Sequence, residues 1–155
     1  MAKQAFLLRS QEIIDGWLER RKNFEGSEES ANAWFKREAY ALLRHYVDRE
    51  LTSVFAQTIR ADSRSAKLTD DAVDNPYKQG LLAMFSDESL SRSDRHVFGN
   101  QMLYADRHDV PSEFLNGFLA MSGGPSVIAE KLKNGFVQPG FERRVERAAR
   151  RARRG

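Results

Sequence analysis

Cysteine is absent from all 155 residues, which removes disulfide frameworks, thiolate zinc sites, iron–sulfur clusters and cysteine nucleophiles at once. No apolar run approaches the roughly 18 residues needed to cross a bilayer. The start, Met1 to Ser10, carries Phe6, Leu7 and Leu8 but no longer apolar stretch and no small-residue cleavage site, so no secretory leader is expected. Alternation of apolar and polar residues never extends beyond four positions, which leaves no basis for a sheet. No repeat of roughly 20 to 50 residues is visible. An intracellular, cytoplasmic location with no membrane partner fits these absences.

What is present is a normal core-forming composition. Hydrophobic residues make up 41% and charged residues 30%, at a mean hydropathy of -0.62, which suits one soluble domain and excludes wholesale disorder. Helical spacing recurs along the chain. Ile13, Ile14, Trp17 and Leu18 share a face behind Ser10, Gln11 and Glu12, and Gly26 closes that segment. Ser27 to Ser30 supplies capping hydroxyls and acids for the next start. From there to about Ala61 neither Gly nor Pro interrupts, yet the centre of the apolar face rotates by roughly a third of a turn around Asp48–Glu50. Either the helix bends there or its second half is buried on a second side. The absence of Pro and Gly favours the latter, which predicts that Leu43, Val47, Val54 and Phe55 are all buried.

Further starts follow at Asn75–Pro76, at Ser91 with Asp94 (a short-armed capping box), at Pro111 and at Pro125. The Pro111 helix is predicted to place Phe114, Leu115, Phe118 and Leu119 on one face, closed by Gly123–Gly124. The Pro125 helix carries Val127, Ile128 and Leu132 and is closed by Gly135, after which Pro139–Gly140 forms a turn. The expected fold is all-α: a single compact domain of six or seven helices spanning residues 1–140, followed by a basic amphipathic C-terminal helix or tail at 141–155.

Catalytic motifs are wanting. No G-x-S-x-G elbow, H-E-x-x-H pair or spaced acidic pair occurs. Ser122-Gly123-Gly124-Pro125-Ser126 lacks the Gly-Lys-Ser/Thr ending of a phosphate loop and reads as a helix stop followed by a helix start. Asp70, Asp71 and Asp74 lack the Gly and terminal Glu of an EF-hand. His96 and His108 each end an Asp-Arg-His tripeptide, but twelve residues of helix separate them by about 18 Å. Asp94, His96, Asp106 and His108 are therefore not expected to converge on a metal, and the histidines read as solvated groups at helix ends and rims. Neither a cofactor nor enzymatic activity is expected.

The charge distribution is more informative. Seven arginines (Arg143, Arg144, Arg147, Arg150, Arg151, Arg153 and Arg154) face only Glu142 and Glu146, a local balance of +5 within a total of +3. The preceding 141 residues carry −2. On a helix, Phe141, Val145, Ala148, Ala149 and Ala152 fall within about 100° and the arginines occupy the rest. Phe141 and Val145 would anchor this helix, while the alanines add little buried area. Guanidinium forks suit phosphates, and relief of their mutual repulsion favours an anionic partner. These seven arginines, with Lys131 and Lys133 before them, are the expected nucleic-acid contacts, to DNA or RNA, free or in a ribonucleoprotein. Two helices split by a Gly-containing turn also match the order of a helix-turn-helix, although the turn from Lys133 to Gly140 is long for one. The alternative is an interaction or inhibitor protein docking on a larger assembly, with the arginines meeting an acidic protein surface.

Overall fold

A computed structural model of the chain describes residues 2–23, 29–61, 74–86 and 89–142. Three helices begin on a polar side chain that takes up backbone N–H groups left open by the first turn. Ser30 Oγ accepts from Ala33 N at 3.1 Å, Asn75 Oδ1 from Tyr77 N at 2.9 Å, and Ser91 Oγ from Asp94 N at 3.0 Å. They open α2 (Ala31–Asp48), α4 (Pro76–Met84) and α5 (Arg92–Arg107). The other helices are α1 (Ala2–Lys22), α3 (Ser53–Ala61), α6 (Leu115–Ser122) and α7 (Pro125–Lys133), with a 3-10 turn at Ser112–Phe114. Together they make one compact all-α domain of seven α-helices, with no strand among the described residues.

Helix α1 starts earlier than the spacing predicted. Its buried stripe is Phe6, Ser10, Ile13, Ile14 and Trp17. Ser10 places a polar residue on that stripe, and this hides the first two turns from a hydrophobicity pattern. Phe6 packs on Tyr46 and Phe55 with ring centroids 5.4 and 5.3 Å away. The expected cap at Ser27 lies outside the described residues.

The long uninterrupted helix expected from residue 30 to 61 is in fact two. Glu50 adopts φ 57°, and the chain closes with Glu50 N donating to Val47 O at 3.1 Å and Leu51 N to Tyr46 O at 2.8 Å. This is the left-handed helix ending usually built on glycine. The rotated apolar face is thus a change of helix. Leu43, Val54 and Phe55 are buried as expected, whereas Val47, at the last turn of α2, is only half-buried. Asp109, at φ 54°, ends α5 with the same pair of bonds, and Gly135, at φ 66°, ends α7.

Helix α2 is central and touches α1, α4, α5 and α6. Helix α4 is short and buried nearly all round, with Tyr77, Lys78, Leu81, Leu82 and Met84 buried, as in a helix enclosed by others. Gly99 lets α5 cross it closely. A Cβ there would lie 3.2 Å from the Lys78 backbone, and Asn75 Nδ2 donates to Gly99 O at 3.2 Å. Trp17, Phe35 and Phe85 stack through the middle of the core at 4.7 to 5.8 Å.

Candidate nucleic-acid interface and its anchor

The seven arginines and Val145 lie outside the described residues; the point from which they depart does not. After α7 the chain doubles back across α5, where the buried side chain of Gln138 fastens it. Gln138 Oε1 accepts from Tyr104 Oη and from Lys131 Nζ, both at 2.7 Å. Its backbone N–H donates to His108 Nε2 at 3.0 Å, while His108 Nδ1 lies 2.7 Å from Tyr104 O. A carbonyl can only accept and an amide N–H can only donate, so these two partners define a neutral imidazole protonated at Nδ1.

This corrects the expectation for His108, which is 3% exposed and forms part of the core rather than a solvated rim. Asp106 is buried as well. His96 matches the expectation: it is exposed, near the other end of α5, 2.9 Å from Lys78 Nζ. His45 is also exposed. The two Asp-Arg-His tripeptides sit in different surroundings, and among the described residues no group of three metal-ligating side chains is found. No described helix is long and apolar enough to cross a membrane.

Of the two lysines, Lys131 is drawn inward. Besides Gln138 it donates to Ser122 O at 2.7 Å, and it lies 5.0 Å from the Phe136 ring centroid. Lys133 is exposed in the last turn of α7. Just beyond Gln138, Phe141 inserts its ring between His108 and Phe118, at 5.4 and 5.3 Å. Phe141 therefore anchors the chain to the body, as its position on the predicted apolar stripe suggested. Residues 134–140 form a pinned strap, which is unlike the free three- or four-residue turn of a helix-turn-helix.

Beside Phe141 runs an apolar groove of about 440 Å³ along α6, with Phe114, Gly117, Phe118 and Met121 along it. Phe114 is 62% exposed, against the expectation that it would share the buried face with Leu115, Phe118 and Leu119. The 3-10 turn is the reason: three residues per turn instead of 3.6 rotate Phe114 off the face that α6 buries. Met121 is 58% exposed, on the same groove. Among the described residues, the charged ones lining it are Asp109 and Glu113, both acidic.

A second polar cluster had no signal in the sequence. Arg44 on α2 donates to Val110 O and Asp109, and pairs with Asp48 at 3.3 Å, while Tyr40 Oη donates to Val110 O at 2.7 Å. Burial opposes the Arg44 charge, but neighbouring Tyr40, Asp48 and Asp106 outweigh it and raise its pKa. Tyr77 is buried with no hydrogen-bond partner for its hydroxyl among the described residues. Burial, reinforced by Asp106 and Tyr40, pushes its pKa far up. The cluster fastens the α5 ending onto α2.

Family models, curated proteins and solved structures alike contain no match to this chain.

Proposed function

We propose that the protein is a non-catalytic binder of nucleic-acid phosphates, and that Arg143, Arg144, Arg147, Arg150, Arg151, Arg153 and Arg154 make the contacts. The observation that carries this reading is charge segregation: a segment of +5 follows a body of −2. The anchor supports it, because Gln138 and Phe141 fix the chain on the body just before the arginine-rich segment begins. Lys133 is available to add a contact, whereas Lys131 serves the anchor. Docking is electrostatic and weakly sequence-specific, since phosphate contacts position a ligand without reading bases.

The test is fluorescence anisotropy with labelled single-stranded DNA, duplex DNA and RNA over a salt series. If all seven arginines neutralise phosphates, log K falls against log salt with a slope of roughly −5 to −6. Deleting residues 142–155 abolishes binding and leaves the helical circular dichroism of the body. Unchanged affinity after that deletion refutes the reading. So does absence of binding to all three probes at low salt, which leaves the arginines to an acidic protein surface.

A further inference from the structure

We propose that His108 is an acid-sensitive latch: a proton added at Nε2 releases the strap, residues 134–141, from the helices beneath it. The inference stands independently of what the arginines bind, since every group in it belongs to the strap and to the body.

Hydrogen-bond polarity is the first argument. Nε2 accepts the Gln138 backbone N–H at 3.0 Å, and Nδ1 donates its proton to Tyr104 O at 2.7 Å. The neutral ring thus has its one donor and its one acceptor in use. The second proton of an imidazolium goes to Nε2, where it points at another N–H. An amide nitrogen does not accept, so the cation and the Gln138 bond exclude each other. The end of α5 favours positive charge, but Tyr104 O is already satisfied by the neutral ring.

Enclosure is the second. The rings of Tyr104, Phe118 and Phe141 surround the imidazole at 4.4, 5.0 and 5.4 Å. A charge formed there loses its hydration. The Gln138 bond and the Phe141 contact both belong to the strap, so water reaches Nε2 by lifting it.

The surrounding charges are the third. Helix α6 carries none. On α5, Asp106 acts on Arg44 and Tyr77, on the side that faces α2 and α4, and Asp109 just beyond is paired with Arg44. Arg107 reaches toward α7, donating to Leu132 O at 3.5 Å. Glu113 and Glu142 are exposed. Lys131 on α7 shares Gln138 with the imidazole, and its charge has the same sign as an imidazolium.

An opened, hydrated histidine takes up its proton around pH 6.5, whereas the closed latch has no place for one at Nε2. The open form therefore binds one proton more, and closure weakens as pH falls. Above about pH 6.5 the strap is shut; from about pH 7.5 to about pH 5 the equilibrium moves roughly thirtyfold toward open.

The test is hydrogen exchange of the full chain at those two pH values, read by nuclear magnetic resonance as protection of individual amides. Protection of the Gln138 amide is expected to fall roughly thirtyfold further in the wild-type chain than in His108→Gln, which offers that N–H an acceptor that does not titrate. Leu81 in α4 should remain better protected than Gln138 at both pH values. An equal fall in the two proteins overturns the proposal. So does Leu81 protection dropping to that of Gln138, which means that the whole domain opens and not the strap. Imidazole nitrogen shifts of the wild-type chain decide the matter even if His108→Gln does not fold. A neutral ring protonated at Nδ1 is expected wherever the Gln138 amide is protected, and an imidazolium at His108 with that amide still protected overturns the latch.

Discussion

Replacing Gln138 by alanine isolates the anchor, because the backbone bond from residue 138 to His108 survives the change. Two acceptor contacts are lost, from Tyr104 Oη and Lys131 Nζ, each 2.7 Å. Tyr104 is buried, so its hydroxyl is left unsatisfied at a cost of about 1–3 kcal/mol. Lys131 keeps Ser122 O and partial solvent access, so its loss is smaller, on the order of 1 kcal/mol. Gln138→Ala should then destabilise by about 2–4 kcal/mol in urea unfolding followed by far-ultraviolet circular dichroism. Tyr104→Phe removes the hydroxyl along with its need for a partner. The two changes share one bond, so the double variant should fall short of additivity by roughly 1 kcal/mol or more. A Gln138→Ala cost under about half a kilocalorie, or strict additivity with Tyr104→Phe, would show that the strap merely lies on the body.

Leu43→Ala and Phe55→Ala should each cost about 2–5 kcal/mol as core truncations, and Val47→Ala markedly less; equal costs at Leu43 and Val47 would contradict their different burial. Glu50→Gly should raise stability by about 0.5–1 kcal/mol, the left-handed strain relieved less the glycine entropy, and a lower urea midpoint would refute the assignment of that helix ending. The Glu29 carboxyl is held below its ordinary range by its hydrogen bonds to Arg37. Its contribution is thus fully present above the usual carboxylate pKa of about 4.3 and is lost as pH falls through the depressed folded value. In Arg37→Gln the Glu29 titration, followed by nuclear magnetic resonance, should move upward; an unmoved midpoint would mean the pair does not form in solution. Chelation with EDTA should leave the melting temperature unchanged. His96→Ala should do the same, while His108→Ala should lower the melting temperature clearly by breaking both imidazole contacts; equal effects of the two histidine changes would remove His108 from the anchor.

Local chemistry was legible in the sequence wherever one residue type suffices. The hydroxyl of Ser91, the Asn75–Pro76 pair and the glycines at 123 and 135 mark helix ends because capping and positive φ select for them. Glu50 and Asp109 end helices in the same conformation without being glycine, so nothing in their identity announced two stops. Ser10 concealed the start of α1 in the same way, as a polar residue on a buried stripe. His108 was misplaced for a different reason. Its burial comes from Gln138 and Phe141, 30 and 33 residues later in the chain, and no local spacing encodes a return of that length. The groove has the same origin, in α6 meeting Phe141. The arginine run was visible as charge alone.

The strap from Asn134 to Phe141 also decides how a load enters the body at residue 142. Gln138 is tied to α5 and its ending through Tyr104 and His108 and to α7 through Lys131, and Phe141 packs on His108 and on Phe118 of α6, so a pull arriving at residue 142 is shared among three helices. The three hydrogen bonds at Gln138 all sit on one residue and are loaded together. While they hold, the strap stays short and its end is fixed beside α5. Once they and the Phe141 ring contacts part, residues 134–141 can extend to about 27 Å, at 3.3–3.6 Å per residue. The attachment therefore has two lengths: a short one on the intact body and a long one under load.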